Sequence, residues 1–350
     1  MAEKKRLMLI DGHALAYRAY HAIPPLTSPS GEPTNATLGF ANTLLKAIQD
    51  NDPDYVVVTF DVGRTFRHDE YAEYKAKRAK TPDDLRSQFG RIKELVTVLG
   101  IPIYEVEGYE ADDLLGTLSL QATRLGLDTI IVTGDTDSFQ LISPSVQVLY
   151  PQRQFRDTKL YDVEAVRERY DLEPGQLIDL KALAGDSSDN IPGVAGVGAK
   201  TATRLLKQYG SVEAIYEHLD EVRQTRFRRA LERGPDAAMM SKHLVTIVRD
   251  VDVSLDLEAS EWGRFDRTRV MDLLRELGFR SLVARIPRRE RPTEAAQLGF
   301  FGQVTAVAEA GPGPSGLDYR VVDTEQSLDK LVGHLRETPL FALDTETTHT

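Results

Sequence analysis

Acidic side chains follow four short apolar runs in the first half of the chain. LMLID, YVVVTFD and TIIVTGDTD each end in Asp, IPIYEVEGYEADD ends in three acids, and a further cluster lies in GDSSDN. The carboxylates concerned are Asp11, Asp61, Glu110, Asp112, Asp113, Asp135, Asp137, Asp186 and Asp189. Any one of them could be a turn or helix-cap residue, so only the whole set indicates a site.

This set of carboxylates has the chemistry of a site for hard cations. So many acids cannot all stay ionised together without bound cations or large pKa shifts. The chain has no Cys, and ligands that are all oxygen favour Mg²⁺ or Mn²⁺ over zinc. Two such ions about 3.5–4 Å apart can clamp a scissile phosphate. The set therefore predicts metal-dependent phosphoryl transfer.

The elements that must position these acids are predicted to form a parallel sheet. The four runs are short, rich in Val and Ile, and separated by helical stretches, as buried parallel strands are. Ligands of an open α/β sheet lie beyond the carboxyl ends of its strands, so the acids should gather at one edge. Helices are predicted over 37–50, 83–99 and 111–125. Short helices, including one over 199–208, replace the strand pattern from about 166 to 285.

Composition limits the class of protein and predicts its domains. With 350 residues, 41% hydrophobic and 28% charged, the chain can form several globular domains. No apolar run approaches the ~20 residues of a transmembrane helix, and the N-terminal run is too short for a signal peptide. The lack of Cys fits a reducing cytosol. The predicted domains are an α/β domain (1–168), a helical domain (169–286), an Ala/Gly/Pro-rich linker (287–317) and the start of another domain (318–350).

A basic stretch, TFRHDEYAEYKAKRAK, follows the second acidic run. It mixes Arg67, Lys75 and Arg78 with Tyr71 and Tyr74. A solvated helix with scattered ion pairs is one interpretation. Beside a carboxylate site, the cations would instead hold phosphates, and the Tyr rings could stack on unpaired bases. The net charge of −11 argues against a nucleic-acid partner only if these charges are evenly spread.

A glycine-rich loop, PGVAGVG, precedes the helix predicted over 199–208. Its Gly193, Gly196 and Gly198 could bring the backbone close to a phosphate, with a helix N-terminus pointing at it. Lys200 and Arg204 add positive charge. The alternative is a tight helix connection. A second basic cluster either lengthens this surface or is a solvated helix face; it comprises Arg223, Arg226, Arg228 and Arg229.

Together, LMLIDGHALAYRAYHA, VVVTFD, GYEADD, VTGDTD and GDSSDNIPGVAGVGAKTA resemble the 5′ nuclease domains of bacterial DNA polymerases I, within the flap endonuclease superfamily. The resemblance covers roughly residues 5–285 in order and spacing. It implies a PIN/resolvase-like sheet followed by a helix-hairpin-helix domain at about 190–210. It also implies a monomeric 5′–3′ exonuclease and flap endonuclease of the bacterial cytoplasm, acting near the nucleoid on nicked or branched DNA in primer removal and repair.

The resemblance also implies roles for individual residues. A first metal ion would be held by Asp11, Asp61, Glu110 and Asp112. A second would be served by Asp112, Asp135, Asp137 and Asp189, with Asp113 and Asp186 in the outer shell. The basic stretch would form an arch over the active site, with Lys75 and Arg78 as electrophilic residues, Arg67 as a supporting contact and, outside the arch, Arg18 as a substrate clamp. The hairpin would bind duplex DNA and hold K⁺.

Two motifs near the end of the chain resemble parts of other functions. FALDTETT resembles the first motif of a 3′–5′ proofreading exonuclease, with Asp344 and Glu346 as its metal pair. The other acids of that site would lie beyond Thr350, so we expect this pair to be inert and no polymerase module to be present. Gln297, Leu298, Phe300 and Phe301 resemble a sliding-clamp-binding peptide. The alternative for this peptide is docking onto the chain's own nuclease domain.

Three rival functions remain to be weighed against a DNA nuclease. A PIN-type ribonuclease would use the same acids, although the hairpin and basic stretch favour DNA. A non-catalytic DNA-binding arm of a polymerase would gain nothing from nine carboxylates. A Rossmann oxidoreductase is excluded, because the first strand ends in Ile-Asp-Gly-His and not in Gly-x-Gly-x-x-Gly.

Overall fold

The structure is a computed structural model that describes residues 4–151, 158–286 and 331–332. The chain divides into two units, Met1–Arg291 and Pro292–Thr350. Of the second unit, the structure describes only Leu331 and Val332, which are helical. The predicted clamp peptide and the Asp344–Glu346 motif lie outside the described residues.

A six-stranded sheet forms the centre of the first unit, in the order β3-β2-β1-β4-β5-β6. Its strands are β1 (Arg6–Asp11), β2 (Tyr55–Thr59), β3 (Ile103–Tyr104), β4 (Asp128–Val132), β5 (Val146–Pro151) and β6 (Thr158–Tyr161). All neighbours pair in parallel except β5 and β6, which are antiparallel. The predicted α/β sheet is confirmed. The antiparallel edge strand departs from the expected parallel pattern, because β6 follows β5 too closely for a helical crossover.

Helices connect the parallel strands. They are α1 (Gly12–Ala22), α2 (Asn35–Asn51), α3 (Phe66–Glu70), α4 (Asp83–Val98) and α5 (Ala111–Arg124). The predicted bounds of α2, α4 and α5 differ from these by no more than two residues. No helix in the described part of the chain is long and apolar enough to cross a bilayer.

Short helices follow the sheet, as expected. They are α6 (Val163–Tyr170), α7 (Gln176–Ala184), α8 (Ala199–Tyr209), α9 (Val212–Glu217), α10 (Thr225–Glu232), α11 (Pro235–Val245) and α12 (Arg267–Glu276). Three 3-10 helices span Asp137–Leu141, Leu219–Glu221 and Arg280–Arg285. The helix predicted over 199–208 corresponds to α8. The predicted domain boundary at residue 168 falls inside α6.

Separate apolar clusters stabilise the sheet and the helical part. Alternate residues of β1 enter two different clusters, with Met8 and Ile10 in one and Leu7 and Leu9 in the other. Both faces of the sheet are therefore buried, which explains the near-continuous apolar runs. A third cluster packs α7, α8 and α10 together. The sheet edge that carries the acids is thus held by a core on each face.

The C-terminal part of the predicted helical domain packs differently from expectation. Val270, Leu274 and Phe279 share one apolar cluster with Phe40 of α2 and Ile92 of α4. Residues after Trp262 therefore stabilise the α/β core and not the hairpin region. The spacing of apolar residues in α12 gave no sign of this, because an amphipathic helix does not reveal which surface it covers.

Candidate active site

An open pocket of about 590 Å³ lies at the carboxyl edge of the sheet. Seven of the nine predicted acids line it: Asp11, Asp61, Glu110, Asp112, Asp135, Asp137 and Asp189. We call these residues and this cavity the acid pocket. The structure thus brings together carboxylates from the ends of β1, β2 and β4, the start of α5 and the loop after α7.

Asp11 serves both as a helix cap and as a wall of the acid pocket. Its Oδ1 accepts a hydrogen bond from the Ala14 amide at 2.9 Å, and its Oδ2 accepts one from Thr133 Oγ1 at 2.7 Å. The helix-cap interpretation of an Asp after a strand is therefore correct for Asp11, which also lines the acid pocket. Burial, together with the nearby charge of Asp61, raises the pKa of Asp11 to about 7.

Asp61 connects the end of β2 to the start of α5. Its Oδ1 accepts a hydrogen bond from the Ala111 amide at 2.7 Å. Its own amide donates to Nδ1 of His13 at 3.0 Å, which leaves the proton of a neutral imidazole on Nε2. Sequence reasoning missed His13, although it stands two residues after Asp11 and lines the acid pocket.

The first turn of α5 separates a pocket acid from a structural one. Glu110 faces the acid pocket, whereas Asp113 is fully buried and pairs with Arg67 through two hydrogen bonds of 2.7 and 2.8 Å. Asp113 also accepts from the amides of Glu110 and Val248. Its place behind the pocket matches an outer-shell role, but the protein itself uses both of its oxygens.

The burial of Arg67 does not fit the predicted contact with DNA. Only 2% of this residue is exposed. Besides pairing with Asp113, its guanidinium donates to the carbonyl oxygens of Leu244 and Thr246 at 2.9 and 2.8 Å. A buried guanidinium with this many partners is a structural element that ties α3 to the end of α11.

Asp112 has other carboxylates of the acid pocket close to it. Ser138 Oγ donates to its Oδ1 at 3.2 Å. Burial, and then the charges of Asp135 and Asp11, raise its pKa well above the ordinary value. A cation near Asp112 would reverse this shift, because an opposite charge favours the ionised carboxylate.

Lys181, on α7, pairs with two of the predicted acids, and sequence reasoning missed it. Its Nζ lies between Asp137, to which it donates a very short hydrogen bond, and Asp186 Oδ2, at 2.5 Å. Burial and the charge of Asp135 nevertheless raise the pKa of Asp137 to about 7. Asp186 is engaged by Lys181 and Ser188 and does not line the acid pocket. A Lys within the otherwise apolar run LKALAG, five residues before Asp186, was the available signal.

Lys75 and Arg78 bring positive charge to the acid pocket. Lys75 Nζ lies 2.7 Å from Glu110 Oε1 and 3.8 Å from Asp189 Oδ2, and Arg78 Nη2 lies 2.5 Å from Asp189 Oδ1. Burial lowers the pKa of Lys75, but the charges of Glu110 and Asp189 outweigh it and the net shift is upward. The ammonium group therefore stays protonated at neutral pH.

Backbone hydrogen bonds hold the turn that carries Lys75 and Arg78 against the loop that carries Asp189. Lys75 has the left-handed backbone angle φ = 54°, and its amide donates to the Asp189 carbonyl at 2.9 Å. Asn190, also left-handed at φ = 59°, donates from its side chain to the Glu73 carbonyl at 2.8 Å. Non-glycine residues adopt this conformation only where the surroundings hold them there.

The burial of Tyr74 does not fit the predicted stacking on bases. Only 3% of the residue is exposed, and its hydroxyl lies 3.1 Å from both Glu110 Oε2 and Asp189 Oδ2. Tyr71 packs against the same small apolar cluster, which contains Ile191 and Leu244. The two rings thus hold the turn that carries Lys75 and Arg78 against this apolar cluster. Alternation of Tyr with Lys in sequence could not reveal that they face inward.

The glycine loop divides into a buried and an exposed part. Gly193 is buried at φ = 62°, and a Cβ there would lie 2.2 Å from the Gly185 amide nitrogen. This close packing of Gly193 against Gly185 does not fit the predicted approach of Gly193 to a phosphate. Gly196 and Gly198 are exposed, as are Lys200 and Arg204 of α8.

Arg18 does not line the acid pocket. It extends from α1 into a separate cavity, beside Asn42, Val132 and Leu149. This position does not fit the predicted role of Arg18 as a substrate clamp, if the substrate lies in the acid pocket.

The donor set of the acid pocket fits hard divalent cations. It consists of carboxylate oxygens, and burial, together with the charges of neighbouring carboxylates, raises the pKa of Asp11, Asp112 and Asp137. Among the described residues, no three acidic or histidine side chains have already converged on one point. Lys75, Arg78 and Lys181 occupy carboxylate oxygens in that arrangement. Ions would thus bind by drawing the acids together or through bridging water.

In the absence of divalent ions, stability should fall as the pH rises from about 4 to about 7. Asp11 and Asp137 have pKa values of about 7 in the folded protein, against an ordinary 3.8. The folded state therefore binds more protons than the unfolded state in this window, and the free energy of unfolding decreases as these protons are lost. Urea unfolding in EDTA across this pH range measures the effect. Asp137→Asn should make the dependence shallower, whereas a stability that rises with pH would contradict the interpretation.

Models of a known family match most of the described chain. Residues 6–171 match the 5′-3′ exonuclease N-terminal resolvase-like domain, and residues 172–268 match the 5′-3′ exonuclease C-terminal SAM fold. The chain is 47% identical to DNA polymerase I of Chloroflexus aurantiacus, over 98% of this chain and 38% of that protein. It is 43% identical to DNA polymerase I of Bacillus subtilis, over 85% of this chain and 34% of that protein. The chain thus spans about a third of the length of these relatives.

Solved structures with the same fold include two proteins in complex with DNA. The flap endonuclease of bacteriophage T5, in a pseudo-enzyme-product complex with DNA and metal ions, superposes with a TM-score of 0.58 at 21% identity. That match covers 81% of this chain and 96% of the phage protein. The catalytic core of Rad2 with a DNA substrate has a TM-score of 0.55 at 16% identity, over 82% of this chain and 93% of that one. At these identities the likeness establishes the fold.

Proposed function

The chain belongs to the 5′-3′ exonuclease family, and on that premise we propose that it hydrolyses phosphodiesters at nicks and 5′ flaps of branched duplex DNA. Family membership makes it a DNA nuclease of the kind found in DNA polymerase I; the choice of DNA structure is the proposal. The observation that carries it is the acid pocket, which is open and has Lys75 and Arg78 among its lining residues. We further propose primer removal and repair in a bacterial cytoplasm as its setting.

Divalent ions, which we propose to be Mg²⁺, fit the oxygen donors of the acid pocket. Asp11, Asp61, Glu110 and Asp112 would hold one ion, and Asp112, Asp135, Asp137 and Asp189 would serve the other. When bound, such ions activate water and neutralise charge on the leaving oxygen. Asp11 and Asp61 are oriented for this by amide and hydroxyl donors that fix their carboxylates. Lys181 would bridge Asp137 and Asp186 and offset part of their negative charge.

Lys75 and Arg78 would transfer their hydrogen bonds from carboxylates to the phosphate. Their present partners, Glu110 and Asp189, are pocket acids that cations would occupy. Once those acids bind cations, the ammonium and guanidinium groups can donate to non-bridging phosphate oxygens, where negative charge develops. Because the left-handed turn at Lys75 is fixed to the Asp189 backbone, both groups are positioned before the substrate arrives.

The hairpin of α7 and α8 would hold a duplex without reading its sequence. Gly196, Gly198, Lys200 and Arg204 are exposed on the same loop and helix start. Backbone amides and cations of this kind contact phosphates and not base edges. A K⁺ ion at this hairpin and binding of the sliding clamp through Gln297–Phe301 stay predictions.

A labelled duplex with a 5′ flap should be cut at its junction in Mg²⁺ and left intact in EDTA. The carboxylates cannot activate water without cations, so cutting should follow the metal. Cleavage products resolved on a denaturing gel measure this, with single-stranded DNA and an RNA duplex of the same sequence as controls. Tight binding without cutting in any divalent metal would identify a non-catalytic DNA-binding arm. Preferential cutting of RNA would identify a ribonuclease.

A further inference from the structure

One ring nitrogen of His13 has no partner within the described part of the protein. His13 lies in the first turn of α1 and lines the acid pocket. Its Nδ1 accepts from the Asp61 amide at 3.0 Å, so the ring proton is on Nε2. Among the described residues, none accepts a hydrogen bond from this Nε2–H group. A donor that lines a pocket without a protein acceptor is available to a ligand.

The imidazole of His13 is held in its neutral form. A protonated ring would carry a hydrogen on Nδ1 and could not accept from the Asp61 amide. Nδ1 lies 3.6 Å from Asp61 Oδ2, which is too far for a hydrogen bond to that carboxylate. Burial also lowers the pKa of His13 and outweighs the charge of Asp61, which acts in the opposite direction. His13 is therefore a donor that brings no positive charge into the acid pocket.

Aromatic packing fixes the orientation of the His13 ring. The Phe89 ring lies tilted against it with 4.5 Å between the ring centroids, and Phe60 meets it nearly at right angles at 5.5 Å. Phe60 in turn packs closely on Gly12, where an added Cβ would lie 2.3 Å from the Phe60 ring. These contacts cover ring surface that stacking on a nucleobase would need. The ligand that fits is therefore a hydrogen-bond acceptor at Nε2.

The other side-chain donors among the described lining residues of the acid pocket already have protein partners. They belong to Tyr17, Arg67, Tyr74, Lys75 and Arg78. A cation beside Asp61 would pair with it and compete with metal ions for its oxygens, as Lys75 does at Glu110. A neutral donor can instead bind a phosphate oxygen without occupying a carboxylate.

We propose that His13 binds the substrate in the acid pocket by donating from Nε2 to a non-bridging oxygen of the scissile phosphate. The inference rests on the proposed function, because it adds a third donor to the phosphate contacts of Lys75 and Arg78. Negative charge on that oxygen grows during cleavage, so the hydrogen bond strengthens towards the transition state. The proton stays on Nε2 throughout, and His13 remains neutral.

The variants His13→Asn and His13→Gln separate the roles of the two ring nitrogens. An Asn side chain can place its oxygen where Nδ1 lies and keep the Asp61 amide satisfied, but its amide nitrogen does not reach as far as Nε2. A Gln side chain can place its amide nitrogen near the position of Nε2. The matched control is His218→Asn, which changes an exposed histidine outside the acid pocket.

Cleavage of the labelled 5′-flap duplex is measured over a range of substrate and Mg²⁺ concentrations, and urea unfolding in EDTA compares the stability of the variants. We expect His13→Asn to lower kcat by about 100-fold, as the loss of one donor to a developing negative charge does. The Mg²⁺ concentration at half-maximal rate and the urea midpoint should stay at the parent values. His13→Gln should keep kcat within about tenfold of the parent, because it retains a donor, and His218→Asn should equal the parent.

Four results would overturn the proposal. They are a parent-like kcat for His13→Asn, an equal loss of kcat in both His13 variants, a loss that added Mg²⁺ repairs, and a loss matched by a lower urea midpoint. Repair by Mg²⁺ would assign His13 to the positioning of Asp61, and a lower midpoint would assign it to folding. A parent chain that cuts no flap substrate in Mg²⁺ would instead refute the proposed function.

Discussion

Replacing Asp112 with Asn is expected to abolish phosphodiester cleavage while leaving the protein at least as stable as the parent chain. Asp112 is the acid that would serve both ions, and metal ions contribute several kcal/mol of transition-state stabilisation. Loss of that contribution corresponds to a rate lower by about 10³-fold or more. Initial rates on the 5′-flap duplex in Mg²⁺ measure it.

The gain or retention of stability distinguishes a chemical role from a folding role. Burial and the charges of Asp135 and Asp11 raise the pKa of Asp112, so the ionised side chain is a repulsive element in the metal-free protein. An Asn of the same shape removes that repulsion and can still accept from Ser138. Urea unfolding in EDTA near neutral pH should give a midpoint equal to or above that of the parent, as expected where function costs stability.

A matched control comes from an acid outside the pocket. Asp83 lies in the first turn of α4, with 94% of its side chain exposed. Asp83→Asn should cut at the parent rate. If Asp112→Asn retained more than a tenth of the parent activity, Asp112 would not be a shared metal ligand.

Removing either partner of the Arg67–Asp113 pair is expected to destabilise the protein by about 3–5 kcal/mol, because an unpaired charge would remain buried. The pair joins α3 to the start of α5 and also supports backbone groups of Leu244, Thr246 and Val248. Urea unfolding of Arg67→Met and Asp113→Leu, each in EDTA and in Mg²⁺, measures the losses.

The double variant Arg67→Met/Asp113→Leu separates charge from packing. It removes both charges together, so its loss should be smaller than the sum of the two single losses. If the two losses simply added, the pair would contribute nothing as a pair, and the buried-charge explanation would be wrong. Lys46→Met, which breaks a pair at the surface, should cost no more than about 1 kcal/mol.

Local patterns in the sequence predicted those features that depend on neighbouring residues. Apolar runs ending in Asp located β1, β2 and β4, and helix periodicity located α2, α4 and α5 to within two residues. The sequence patterns did not identify β5 and β6, because VQVLYP and TKLY are short and do not end in an acidic residue. Type and position of elements therefore followed from pattern and propensity.

Pairings over long sequence separations did not follow from such patterns. Arg67 and Asp113 are 46 residues apart, and Lys181 and Asp137 are 44 apart. Sequence alone made Arg67 and Tyr74 candidates for contact with DNA, since both stand among exposed cations. The structure turns them inward, because tertiary contacts with α11 and with Asp189 decide which side of a short segment is buried.

The carboxylates of the acid pocket are spread over the sequence from Asp11 to Asp189, and β1 pairs with both β2 and β4. During synthesis, the set of pocket carboxylates that begins with Asp11 is complete only once Asp189 has been added. At about 5–20 residues per second, that interval is roughly 10–40 s. Until Asp189 has been made, a nascent chain therefore lacks the complete set of pocket carboxylates, and we expect it not to cut nearby nucleic acid during that interval.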